Sequence, residues 1–154
     1  MKRWKKILLG LLIVFIVIQF IQPKRNVSDG ILPTGMTTIY SVPEKVQGIL
    51  KTACYDCHSN NTNYPWYSKV QPFGWLLARH IKKGKAELNL SEFGSYSQRR
   101  QISKLNGIAN SLKDGTMPLS SYTMIHRDAR LSKEDKDLLM QWAIRTKDSV
   151  MMTK

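Results

Sequence analysis

Cysteine is the scarcest informative residue in this 154-residue chain: there are 2, at positions 54 and 57, and no thiol is left over for a disulfide framework. Acidic side chains are few, 11 against 24 Lys and Arg, which gives a formal net charge of +13. No segment alternates apolar and polar residues in the manner of a strand, so the fold class is all-α. Internal repeats and low-complexity tracts are absent. Nothing resembles a nucleic-acid-binding motif, and the basic charge reads either as a solvated surface or as a docking face for an acidic partner.

What is present centres on Cys54-Tyr55-Asp56-Cys57-His58. Thiols at i and i+3 lie on one side of a single helical turn, where both can form thioethers with the vinyl groups of one porphyrin. A histidine directly after the second thiol is then held beside the ring as proximal iron ligand. This is the c-type haem attachment signature. A thioredoxin-like redox pair would need a βαβ pattern around CxxC, and none is visible. A structural zinc site would have to add His80 or His126 to Cys54, Cys57 and His58, without the paired-ligand spacing of zinc motifs. A disulfide within CxxC would close a very small loop and stabilise little.

The N-terminus supplies a compartment. Lys2, Arg3, Lys5 and Lys6 precede an apolar run from Ile7 to Ile21 that is broken only by Gly10 and Gln19. This is an export signal, and no A-x-A-like cleavage site follows it. Fifteen residues rise only about 22 Å as a helix, against a hydrocarbon core of about 30 Å, with Trp4 and the lysines helping at the interface. Residues 1–22 are expected to form an uncleaved signal anchor, a transmembrane helix in the bacterial inner membrane through residues 7–21. The positive-inside rule puts the rest in the periplasm, where c-type haem is attached. Residues 23–40, with Pro23, Gly30, Pro33 and Gly35, read as a tether, and 41–154 as the domain.

Four helices are expected in that domain. Ser41 and Glu44 fit a capping box with Pro43 in the first turn, followed by Val46, Ile49, Leu50 and Ala53 at helical spacing. Pro72 opens a second helix with Phe73, Leu76, Leu77 and Ile81 on one side, ending near Gly84. Ile102, Leu105, Ile108, Ala109 and Leu112 mark a third, stopped by Asp114-Gly115. Ser132 and Asp135 resemble a capping box for a last helix bearing Leu138, Leu139, Trp142 and Ala143.

A distal iron ligand is sought in Gly115-Thr116-Met117-Pro118-Leu119, because in small cytochromes c the axial methionine arrives on a loop before the C-terminal helix. Pro118 disfavours helical geometry at Met117 and makes it project from the loop; its thioether would suit ferrous iron. His80, on the apolar side of the second helix, is the rival, with Met124 and His126 behind it. An open distal position would instead suit a sensor or a peroxidase-like enzyme. Tyr64, Trp66, Tyr67, Phe73 and Trp75 are expected to pack on the haem. Six cationic residues, Lys2, Arg3, Lys5, Lys6, Lys24 and Arg25, flank the apolar run and leave +7 for the domain. Arg79, Lys82, Lys83 and Lys85 form a patch suited to an acidic redox partner.

The run from Cys54 to Tyr67, continuing through Trp75, His80, Gly84, Leu88-Asn89-Leu90-Ser91-Glu92, Met117-Pro118-Leu119, the His126–Ser132 loop and Trp142, resembles the bacterial haem-binding domain family. The resemblance covers about residues 40 to 145. It departs at His126-Arg127-Asp128, where the family pattern leads one to expect His-Pro. The resemblance implies haem binding and, by cytochrome-like organisation, electron transfer. The expectation is therefore a small cytochrome c-like helical domain around one covalent haem c. Its cofactor residues would be Cys54, Cys57, His58, Met117, Tyr64, Trp66 and His80, with His58 and Met117 on the iron. It would act as an electron carrier and not an enzyme.

Overall fold

The structure, a computed structural model, describes residues 2–28, 30 and 32–152. Met1, Asp29, Ile31, Thr153 and Lys154, which fall within the expected anchor, tether and domain, lie outside the described residues. All regular structure among the described residues is helical, as expected.

The apolar run forms α1 (Arg3–Gln19), a helix with no buried residue. At 17 residues it rises about 25 Å. Among the described residues no helix is long and apolar enough to cross a membrane, so the expected transmembrane helix is corrected to a shorter, exposed apolar one. Its C-terminal end is bolted to the domain by amides. Gln19 Oε1 accepts from the Gln71 backbone N–H at 2.9 Å, and Gln19 Nε2 donates to the Gln71 carbonyl at 3.2 Å. Gln71 Nε2 donates to Gln22 Oε1 at 3.0 Å, Gln22 Nε2 to the Lys69 carbonyl at 3.1 Å, and the Trp75 indole to the Ile21 carbonyl at 2.8 Å. Gln71 is fully buried, and its amide is satisfied at both ends. A buried polar side chain is tolerated on that condition.

The following segment continues along the domain. Asn26 donates its backbone N–H to the Tyr64 hydroxyl (2.6 Å) and its side-chain amide to the Ser59 carbonyl and Thr62 hydroxyl (both 2.9 Å). A short helix, α2 (Met36–Ile39), then buries Met36 in the core.

The core is built from α3 (Glu44–Ala53), α6 (Gln98–Lys113) and α8 (Lys133–Met152). Leu105, Ala109 and Leu112 recur at i, i+4 and i+7 on α6, facing Leu139, Trp142, Ala143 and Val150 on α8. Each fully buried Leu contributes about 1.5–3 kcal/mol, which makes this helix pair, the most extensive in the fold, its foundation. Val46, Ile49 and Leu50 of α3 close the cluster with Phe93. The Ser132–Asp135 box forms as expected: the Ser132 hydroxyl accepts from the Asp135 N–H at 3.0 Å and donates to Asp135 Oδ2 at 2.9 Å. The Ser41 box does not form. The first helix begins at Glu44 without a side-chain cap, and the Ser41 carbonyl instead accepts the Trp142 indole N–H at 3.3 Å.

Two further helices place the CxxCH segment. Helix α4 (Tyr55–His58) is one turn following Cys54, and α5 (Phe73–Glu87) starts after Pro72 as expected but runs past Gly84. Gly84 is where they touch: a Cβ there would sit 2.6 Å from the Cys57 carbonyl oxygen. Only hydrogen fits between the two backbones.

Candidate haem site

Cys54 is the N-cap of α4, and both the Cys57 and His58 N–H groups point back to the Cys54 carbonyl, at 3.2 and 2.9 Å. The two thiols are free and share this turn. Burial, followed by the field of Cys57, pushes the Cys54 thiol up to about 12; burial, followed by the Asp56 charge, pushes Cys57 up to about 11. Both are therefore neutral thiols at physiological pH, unlike the low-pKa thiolates of redox CxxC pairs. No group of three or more His, Cys, Asp or Glu that could hold a metal ion exists among the described residues, so the zinc alternative is not built.

His58 Nδ1 lies 3.1 Å from the Leu88 carbonyl oxygen. A carbonyl only accepts, so Nδ1 carries the proton and Nε2 keeps its lone pair. Burial lowers the His58 pKa, more than the Leu88 and Gly84 carbonyls and the Glu87 charge raise it, so the ring stays neutral. A neutral imidazole with a backbone acceptor behind it is the form a proximal iron ligand takes. The residues of this turn fit a covalently attached haem: two thiols for thioethers and one oriented nitrogen for iron.

The segment is locked to its surroundings through the residue between its thiols. Asp56 Oδ2 accepts from the Tyr122 hydroxyl at 2.7 Å, and Oδ1 from the Asn63 N–H at 3.0 Å. Burial and that bond to Asp56 push the Tyr122 hydroxyl far above its ordinary value. Tyr122 lies in α7 (Ser120–Thr123) and stacks on His126 at 4.2 Å, 10° between planes; His126 Nε2 is 2.8 Å from the Tyr67 hydroxyl. Asp56 and Tyr122 carry no local sequence signal for this pairing, since 66 positions separate them.

The other expected site residues are placed unevenly. Met117 follows the end of α6, which closes in a Schellman arrangement around left-handed Gly115 (φ 66°), with Thr116 N–H on the Ser111 carbonyl and Gly115 N–H on that of Leu112. Met117 is 36% exposed and makes no hydrogen bond to the CxxCH turn; its loop reaches that turn through Tyr122. His80 is half-buried on α5, one turn before Gly84 and on the same side of the helix. Trp66 is 80% exposed and meets Tyr67 edge-on. Tyr64 lies under the Arg25 guanidinium, 4.8 Å from its ring centroid.

The model of the haem-binding domain family matches residues 13–145 of this chain. The chain belongs to the haem-binding domain family. No curated protein and no solved structure matches it. Membership makes haem the ligand of this domain.

Proposed function

We propose that this haem-binding domain is a monohaem c-type cytochrome, exported and attached to the membrane through α1, that carries single electrons by outer-sphere transfer. The observation that carries the reading is His58, whose Nδ1–H is held by the Leu88 carbonyl on the same turn as two free thiols. Haem bound there supplies a one-electron iron couple. The chain's own part is to attach through Cys54 and Cys57, to present the His58 Nε2 lone pair, and to keep the turn rigid through Gly84 and the Asp56–Tyr122 bond. No bond in a substrate is made or broken, so the protein is a carrier and not an enzyme. Attachment at the membrane is supported by the apolar side chains of α1, none of them buried, which follow Lys5 and Lys6 within the helix and precede Lys24 and Arg25 beyond it. A basic domain surface suits an acidic redox partner.

Met117 is the proposed distal ligand, since its loop is joined to the CxxCH turn by Tyr122. His80 is the second reading, favoured by its place on the side of α5 that meets Cys57 at Gly84. The first test is haem staining on a denaturing gel after expression with the cytochrome c maturation system. Covalent haem lost in Cys54→Ser with Cys57→Ser is expected; a colourless wild-type protein refutes the proposal. Met117→Ala should then abolish the weak near-infrared sulfur-to-iron band of the ferric protein, while His80→Ala leaves it. Loss of the band only in His80→Ala would exchange the two roles. Rapid carbon monoxide binding by the reduced wild type would favour a sensor or a peroxidase-like enzyme.

A further inference from the structure

Four cationic side chains from two parts of the chain converge on one cleft. Lys24 and Arg25, just beyond α1, and Lys82 and Lys85, on α5, line an open hollow of about 530 Å³. Ala78, Lys82 and Lys85 recur at i, i+4 and i+7 on one flank of α5, whereas Phe73, Leu76 and His80 lie on the other. The cleft is therefore on the opposite flank of α5 from His80, and Met117 is not among its described lining residues.

Its walls are fixed. Lys85 Nζ donates to Asn26 Oδ1 at 2.6 Å, and the Arg25 guanidinium rests on the Tyr64 ring. The Tyr64 oxygen accepts the Asn26 N–H at 2.6 Å, which leaves its own O–H free to donate into the cleft it lines. Glu92, the carboxylate among the described lining residues, accepts from Asn60 Nδ2 at 2.7 Å. The ion pairs of the described residues join Lys104 to Glu87, Lys133 to Asp137 and Lys147 to Asp148, none of them in this cleft. Four cations against the one carboxylate of Glu92 leave the described lining net positive, and an anion relieves the repulsion among them.

We propose that this cleft binds a phosphate group carried on a larger organic body. Arg25 offers a planar fork of donors, the lysines offer compact charges, and the Tyr64 hydroxyl offers a neutral donor, which together suit a tetrahedral oxyanion. The hollow is larger than a bare ion requires, and Val27, Ala78 and Ile81 give it apolar wall for the remainder of the ligand. The phosphate can come from a soluble monoester or from a lipid headgroup, because the cleft follows directly on the apolar α1. The proposal does not depend on the haem or the membrane reading.

The test uses the full-length holoprotein in dodecyl maltoside, titrated with glycerol 3-phosphate and, separately, floated on phosphatidylcholine vesicles with and without phosphatidylglycerol. Saturable glycerol phosphate binding assigns the soluble source, and preference for the phosphatidylglycerol vesicles assigns the lipid. Either should weaken about tenfold in Lys82→Ala and in Arg25→Ala, the loss expected for one charge-assisted hydrogen bond. Lys113→Ala, on exposed surface at the end of α6, should change nothing. No saturable binding and no vesicle preference would overturn the proposal. So would an equal loss in Lys113→Ala, which would show only diffuse attraction to a basic protein. Flotation on neutral vesicles reports on α1 alone, so failure of membrane attachment shows separately from failure of the cleft.

Discussion

Replacing Gly84 with Ala sets two known effects against each other. In a helix interior Ala is better than Gly by about 0.5–1 kcal/mol. At Gly84, however, the added methyl would lie 2.6 Å from the Cys57 carbonyl oxygen and 3.1 Å from the Cys57 Cβ. An ordinary carbon–oxygen contact is about 3.2 Å or more, so α5 or the CxxCH turn must retreat by roughly 0.6 Å. The obstructing atoms are backbone, not the end of a flexible side chain, so the upper part of the 1–3 kcal/mol range for overpacking applies. The net result is destabilisation by about 1–2 kcal/mol, or a Tm lowered by roughly 3–8 °C for a domain of this size. Gly48 in α3 and Gly107 in α6 have open space where a methyl would go. Their Ala variants should each be about 0.5–1 kcal/mol more stable than wild type. Thermal unfolding of the three variants, with haem content measured on each, decides the matter. A Gly84→Ala protein as stable as Gly48→Ala, with full haem content, would refute the claim that contact at Gly84 positions Cys57.

Tyr122→Phe removes the bond to Asp56 and keeps the stack on His126. It should cost about 1–2 kcal/mol in urea unfolding, as loss of a partly exposed bond to a charged group, and unchanged stability would show that the bond does not hold the Met117 loop. Before haem attachment the thiols should alkylate slowly: at pH 8 a thiol at about 11 is roughly 0.1% thiolate, against about a quarter for an ordinary one. Iodoacetamide labelling of haem-free protein at the rate of a free cysteine would contradict the burial of Cys57. Gln71→Leu removes the donor to Gln22 and the acceptor of the Trp75 N–H, and should destabilise by about 1–2 kcal/mol. Faster proteolysis between Gln19 and Asn26 is the expected companion, and unaltered cleavage would count against the clamp.

The sequence disclosed what short-range chemistry decides. The CxxCH turn, the Ser132–Asp135 box and the Gly115 stop depend on residues within a few positions of one another, and each stands where its spacing indicates. The i, i+4, i+7 stripes of α6 and α8 were equally legible, because they report one face of one helix. What escaped reading was set by distant partners. Ser41 and Glu44 had the pattern of a cap, but the indole of Trp142, 101 positions away, takes the Ser41 carbonyl and the helix starts uncapped. Nothing local to Asp56 signals its role between the two thiols, because its partner Tyr122 lies 66 positions away. Gln19 read as a polar blemish in an apolar run; it is the residue that seats the helix on Gln71. The apolar run itself was recognised as a helix, but its ending at Gln19 leaves it shorter than a bilayer core.

That glutamine joint governs how far the CxxCH turn can roam. Eighteen residues of free linker, from 23 to 40, would let a domain wander over an r.m.s. distance of about 25 Å from its mooring. Here the slack is taken up before it begins: residues 19 to 26 are stitched to 59–75 by backbone and amide bonds. Whatever holds α1 therefore also aims His58 and its neighbours in one direction. Such a molecule does not sweep space for collaborators, and meetings with them depend on their arriving at the side it presents.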